Sequence, residues 1–111
     1  MDELTEPNPE SAPVVARRFT WDLAKAARNV EKHGVTFNEA QTVFDDPHAQ
    51  LFYDADHSAD EDREIVVGHS IRQRLLVVSF TERMWNLIRI ISARLATRAE
   101  RSDYAERPPD V

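Results

Sequence analysis

Residues 75–91 read LLVVSFTERMWNLIRII. Two apolar runs, Leu75-Leu76-Val77-Val78 and Leu87-Ile88-Arg89-Ile90-Ile91, flank the short link Arg83-Met84-Trp85-Asn86. Runs this rich in branched aliphatic residues, joined so closely, predict an antiparallel hairpin. The link has no Asn-Gly pair, so its turn type stays open. Working backwards, Ile65-Val66-Val67 predicts a third strand, joined through Ser70-Ile71-Arg72, and Leu51-Phe52-Tyr53 a shorter fourth. The strands near 75–78 and 87–91 are apolar at successive positions, so both faces of their sheet need a cover.

Helices supply the covers. Asp22 is a good N-cap, and Leu23, Ala26, Ala27 and Val30 follow at helical spacing. His33-Gly34 ends this helix near residue 32, since glycine suits the left-handed position after a helix. Thr36-Phe37-Asn38-Glu39 is a capping box, and Phe37, Ala40, Val43 and Phe44 form the apolar stripe of a short second helix. Asp45-Asp46-Pro47 closes it. Thr97-Arg98-Ala99-Glu100 is another capping box and opens a last helix to about Glu106, before Pro108-Pro109. That helix has little to bury, so it is loosely held or completed by a partner. The expected fold is α+β: two N-terminal helices, a four-stranded antiparallel sheet and a C-terminal helix, in the order ααββββα. The domain spans 18–107. Residues 1–17, with three prolines and four acids, predict a disordered arm, and 108–111 a tail.

Composition narrows the function. The 111 residues carry 14 Lys and Arg against 20 Asp and Glu, a net charge of −6, and no cysteine. Disulfides, thiol catalysis and Cys-ligated zinc are thereby excluded. The lack of cysteine fits a reducing, cytoplasmic setting. The acidic start of the chain lacks the apolar stretch of a secretory signal, and no run is long enough to span a bilayer, so no membrane role is expected. Two glycines are too few for a phosphate-binding loop of the Walker or dinucleotide type. The charge is uneven. Residues 49–64 hold six acids and one base, whereas 65–111 hold five acids and eight arginines. Arginine's planar fork suits phosphate oxygens and base stacking.

Metal chemistry is not indicated. A calcium loop beginning at Asp54 would need Gly and Glu where Ala59 and Ile65 stand. A solvated acidic loop from Asp54 to Asp62 is the better reading. The four histidines, His33, His48, His57 and His69, form no helical i,i+4 pair and no zinc signature, so neither a metal nor another cofactor is expected. No G-x-S-x-G marks a serine nucleophile. His33, at a helix C-terminus after Lys32, can cap the helix or transfer a proton. Arg89, in the middle of an apolar strand, must pair with a carboxylate or face a groove. Glu82, on the neighbouring strand, is the candidate partner.

The spelling of these segments is specific. Phe19-Thr20-Trp21-Asp22 with Lys25 and Asn29 leads to Lys32-His33-Gly34-Val35, Phe37, Glu39-Ala40 and Val43-Phe44-Asp45-Asp46-Pro47. Then come Arg63, Gly68, Arg74-Leu75-Leu76-Val77-Val78, Thr81-Glu82-Arg83, Ile88-Arg89-Ile90-Ile91-Ser92-Ala93-Arg94 and Tyr104. Over about 19–106 this series resembles the BrnT family of toxins from type II toxin–antitoxin pairs. The resemblance implies a fold like that of the RelE-type ribonucleases. It further implies a metal-independent endoribonuclease that stops translation by cutting RNA. Its inhibitor would be a BrnA-like antitoxin carrying a ribbon-helix-helix type region. DNA would then be contacted only indirectly, through the antitoxin, as the pair represses its own operon. A toxin dimer inside a larger hetero-oligomer is compatible with this.

Metal-free RNA cleavage by the 2′-oxygen needs a proton acceptor, cations for the charge on phosphorus and a proton for the leaving 5′-oxygen. Chemistry selects Lys32, His33, Arg74, Glu82, Arg83 and Arg94 as catalytic candidates, with His33 or Glu82 moving protons. Arg89, Arg98, Arg101 and Tyr104 are the RNA-binding candidates, Tyr104 by stacking or hydrogen bonding. An antitoxin seated on this arginine face would inhibit by occlusion. The rival reading is a non-catalytic module that completes a DNA-binding autorepressor complex.

Overall fold

A computed structural model describes residues 17–57, 61–84 and 86–106. The expected arm, except Arg17, and the expected tail lie outside these residues, as do Ser58–Asp60 of the acidic loop. The elements are β1 (Arg18–Thr20), α1 (Leu23–His33), α2 (Phe37–Gln41, continued by a 3₁₀ turn Thr42–Asp45), β2 (Gln50–Tyr53), β3 (Glu64–His69), β4 (Leu75–Met84), β5 (Leu87–Leu95) and α3 (Arg98–Glu106).

The sheet corrects the expectation of four antiparallel strands. It has five, in the order β1-β5-β4-β3-β2, and β1 runs parallel to β5. The chain order is therefore βααββββα. Arg18-Phe19-Thr20 is too short to show a period, and its partner Leu87-Ile88-Arg89 lies far along the chain. Tertiary packing makes it a strand: the Phe19 ring lies 5.2 Å from Phe44 and joins the main core.

The caps act much as the sequence suggests. Asp22 accepts a hydrogen bond from the Lys25 N–H at 2.9 Å, and Gly34 closes α1 in the left-handed region at φ 68°. At α2 only half of the box forms: Thr36 Oγ1 accepts from the Glu39 N–H, while the Glu39 carboxylate is used elsewhere. At α3 both halves form, between Thr97 and Glu100. The β3–β4 link is a tight turn, with the Gln73 N–H donating to Ser70 O and Gln73 itself at φ 64°. This left-handed third residue replaces the Asn-Gly signal.

The α1–α2 face of the sheet is closed. Val35, Phe37, Ala40 and Val43 pack there on Val66, Leu76, Val78, Phe80, Ile88, Ile90 and Ala93, all buried. Buried Asn29 pins α1 to β5, its Nδ2 donating to Val35 O and Ala93 O while its Oδ1 accepts from the Ala93 N–H. The opposite face has a smaller cluster of Val67, Leu75, Val77 and Ala96, with Ile65 and Tyr104 at its margin.

A bulge in β5 sets which side chains share a face. Ser79 pairs with Ser92 and Phe80 with Ile90, so Ile91 has no direct partner. The extra residue resets the two-residue alternation. Ile88, Ile90 and Ala93 consequently all face the main core. Arg89 and Arg94, five positions apart, both face the other way, opposite Thr81 and Val77. Without the bulge they would lie on opposite faces.

Candidate functional site

The candidates fall into separate groups. Lys32 and His33 end α1, and Arg74 opens β4 beside them, its Nη2 donating to Gly34 O at 3.2 Å. Glu82 and Arg83 lie near the other end of β4. Nine residues of strand separate Arg74 from Arg83, about 30 Å. One scissile phosphate cannot touch both.

Arg74 is committed inside the protein. Its Nε donates to Glu39 Oε2 at 2.9 Å, and its Nη2 donates to Glu39 Oε1. The Ser70 hydroxyl also donates to Glu39 Oε2, at 2.7 Å. Arg74 and then Ser70 hold this buried carboxyl below the usual range against the opposing effect of burial. Arg72 stands 3.7 Å away, mostly in solvent. The network ties the start of α2 to the β3–β4 turn.

Arg94 is likewise paired. Its two terminal nitrogens donate to the two Glu100 oxygens at 2.7 and 2.9 Å. Arg94, helped by Thr97, lowers the Glu100 pKa to about 2. The pair fastens α3 to the sheet. Arg83 pairs with Glu61 at 3.1 Å. Arg98 and Arg101 are exposed on α3.

Tyr104 anchors α3 at its other end. Its hydroxyl donates to Asp46 Oδ2 at 3.3 Å, and its ring meets His69 edge-on with centroids 5.4 Å apart. Asp46 also accepts from the His69 N–H at 2.7 Å and the His48 N–H at 2.9 Å. Burial opposes ionisation of Asp46, but these donors outweigh it and keep its pKa low. Gly68 makes the approach possible: a Cβ there would sit 3.0 Å from Asp46 Oδ2 and from Val43 Cγ1.

Arg89 differs from the other strand arginines. The expected pair with Glu82 does not form. Glu82 is opposite Ile88 and faces the α1–α2 side, whereas Arg89 is opposite Thr81 on the other side. Glu82 instead accepts from the Asn86 N–H in the hairpin. Arg89 is half-buried and makes no ion pair among the described residues. Thr20 of β1 lies on its other flank, and Arg18 stands two residues along β1 on the same face. The two arginine Cα atoms are then about 8 Å apart. Thr81 is buried, and among the described residues its Oγ1 has no hydrogen-bond partner. The result is a cationic strip at the β1–β5–β4 end of the sheet face that α3 shares, with the Thr81 hydroxyl buried beside Arg89. Arg18 and Thr81 escaped sequence analysis because only the strand pairing brings them to Arg89. Among the described residues, no three His, Asp or Glu side chains are grouped so as to hold a metal ion.

Known proteins agree with this architecture. Residues 21–100 match the family model described as the ribonuclease toxin, BrnT, of type II toxin–antitoxin systems. Among curated proteins there is no match. The chain is similar to the crystal structure of the Brucella abortus ribonuclease toxin, BrnT, with a TM-score of 0.59 and 24% identity. That likeness covers 75% of this chain and 100% of the other, and at such identity it is a likeness of fold. With its family match running from Trp21 to Glu100, the chain belongs to the BrnT family of ribonuclease toxins of type II toxin–antitoxin systems.

Proposed function

We propose that the chain is a metal-independent endoribonuclease that inhibits translation by cutting RNA, and that a BrnA-like antitoxin neutralises it. The observation that carries this reading is Arg89: a half-buried guanidinium on a sheet face, without a carboxylate among the described residues, beside Arg18 and the Thr20 and Thr81 side chains. A cation kept in such a place without a partner costs stability, and an anionic ligand removes that cost. RNA phosphate has the right charge and matches the guanidinium fork.

In this reading Arg89 and Arg18 hold the phosphate and stabilise the charge that grows on it as the 2′-oxygen attacks. Of the two proton-transfer candidates, Glu82 stands at the same end of the sheet as Arg89 but on the opposite face, so neither candidate shares the face of Arg89. His33 and Lys32 stand at the opposite end, with Arg74. Arg94, Arg98 and Arg101 extend the cationic track along the open face toward α3. Tyr104, half-buried against Asp46, serves to hold α3 in place.

The test is cleavage of a defined RNA in EDTA by the parent, Arg89→Ala and Arg89→Lys proteins, beside their melting temperatures. Loss of a contact to developing charge should slow cleavage about 100–1000-fold in Arg89→Ala. Lysine should not restore it, because a point charge cannot reproduce the fork. Melting temperature should stay level or rise. Full cleavage by a folded Arg89→Ala protein would refute the assignment. No cleavage by the folded parent would favour the non-catalytic autorepressor module.

A further inference from the structure

Strand register lines up one row of side chains across the whole sheet. Thr20 of β1 and Thr81 of β4 flank Arg89. Glu64 pairs with both Tyr53 and Phe80, so one step further Arg63 stands opposite Thr81 and Asp54 opposite Arg63. The Asp54 N–H donates to Arg63 O at 2.9 Å, which carries the ladder to that step. Phe52, Ile65 and Val77 line the groove between α3 and the sheet. Side chains alternate along a strand, so Asp54, Arg63 and Thr81 lie on this same face. Strands about 4.8 Å apart put the Asp54 and Arg89 Cα atoms about 14 Å from each other.

Beyond Asp54 the chain makes a 3₁₀ turn, Ala55–His57, that folds His57 back on the row. His57 Nδ1 lies 3.0 Å from Asp54 Oδ2 and 3.2 Å from Oδ1. The Asp54 side chain is 13% exposed and that of His57 65%. A carboxylate only accepts, so Nδ1 donates and the neutral ring presents Nε2 to solvent as an acceptor. A shielded carboxylate of this kind fixes the tautomer and orientation of a proton-transfer histidine. The surroundings suit a phosphodiester. Arg63 and Arg89 stand along the row, and Glu61 is offset by Arg83 at 3.1 Å. His69 meets α3 through Tyr104, but it pairs with Leu75, six residues of β4 from Thr81, about 20 Å away.

We propose that His57, oriented by Asp54, is the proton acceptor for RNA cleavage on this face, with the scissile phosphodiester lying between His57 and Arg89. This rests on the reading of the chain as a ribonuclease. Nε2 takes the proton of the 2′-hydroxyl, and the electron pair left on the 2′-oxygen forms the new bond to phosphorus. The bond from phosphorus to the 5′-oxygen breaks, and its electron pair leaves on that oxygen, which takes a proton from water. The products are a 2′,3′-cyclic phosphate and a free 5′-hydroxyl. The imidazolium gives its proton to the hydroxide so formed. Arg63 and Arg89 stabilise the charge that grows on the phosphate oxygens. Asp54 is a positioning residue.

The experiment compares the parent with His57→Ala, Asp54→Asn and, as a control, His48→Ala. It reads cleavage of a defined RNA in EDTA, binding of the same RNA carrying 2′-deoxyribose at the cut site, and melting temperature. His57→Ala should slow cleavage about 100–10,000-fold. Its binding should stay within about twofold of the parent, its melting temperature should not move, and added imidazole should restore part of the rate. Asp54→Asn should also slow cleavage at least about 100-fold at unchanged binding, because an amide can donate to Nδ1 and move the ring proton to Nε2. If Asp54→Asn melts early, His57→Ala and its rescue decide alone. His48→Ala should match the parent. Full cleavage by folded His57→Ala or Asp54→Asn would overturn the proposal, as would an equal loss in His48→Ala. Slow cleavage by His57→Ala with binding weakened by the same factor and no rescue would assign His57 to RNA binding and overturn its proton-transfer role. No cleavage by the folded parent would overturn the ribonuclease reading as well, whereas cleavage that persists without His57 overturns this proposal alone.

Discussion

The two faces of the sheet share the same strands and differ in how they are finished. The α1–α2 face is sealed by Phe37, Val43 and Val35, with Asn29 locking the helix to the strand backbone. The α3 face is sealed only near Val67, Leu75 and Val77, and its helix is held by the polar contacts Arg94–Glu100, Tyr104–Asp46 and Gln50 Nε2 to Tyr104 O. Apolar surface buried on one side fixes the architecture, and the other side leaves Arg89 half-buried and unpaired among the described residues. On the proposed reading, stability and recognition are divided between the faces.

The sharpest way to break this division is to attack the sealed side at a charge. Glu39→Ala strips Arg74 of its partner and should cost about 3–5 kcal/mol, the effect of breaking a buried ion pair on one side. A lower denaturant midpoint would show it, and an unchanged midpoint would mean that the pair is not structural. Paired truncations then compare the faces directly. Leu76→Ala, in the main core, should cost about 2–5 kcal/mol, because the cavity it leaves cannot collapse. Its neighbour Val77→Ala, beside the groove, should cost about 1–2 kcal/mol, the transfer of two methyl groups. Equal losses would show the α3 face to be as tightly built as the other.

The smallest effect concerns pH. Glu100 ionises at about 2 in the folded chain against 4.5 as its ordinary value. A depressed carboxylate stabilises above its unfolded pKa, and that stability is lost as pH falls from about 4.5 towards 2. Both partners are about a third exposed, so the loss should be only about 0.5–1 kcal/mol. It should appear as faster amide exchange in α3, and Glu100→Gln should abolish its pH dependence.

Much of the closed face was legible in the sequence because its signals are local. Asp22, Gly34 and Thr36 mark helix ends by their own backbone chemistry, and Leu75–Val78 reads as strand by composition alone. What was less legible, on either face, is organised non-locally. Thr36–Glu39 spells a capping box, but Arg74, distant in sequence, takes the Glu39 carboxylate. Asp46 reads as a helix stop beside Pro47, yet the fold makes it the acceptor that joins β3 and α3. Arg89 was noticed for being charged in an apolar run. That it lacks a carboxylate, and that Arg18 stands beside it, follow from strand register, which no short window contains. β1 was missed for the same reason.

The bulge at Ile91 makes β5 far more sensitive to length than to spelling. Removing that one residue would turn the remainder of the strand over, driving Arg94 into the core and exposing Ala93. A single-codon deletion there should be lethal to the fold, while many substitutions at the same codon pass unnoticed. During divergence, insertions and deletions should therefore be purged from Ile90–Arg94 even where its side chains drift.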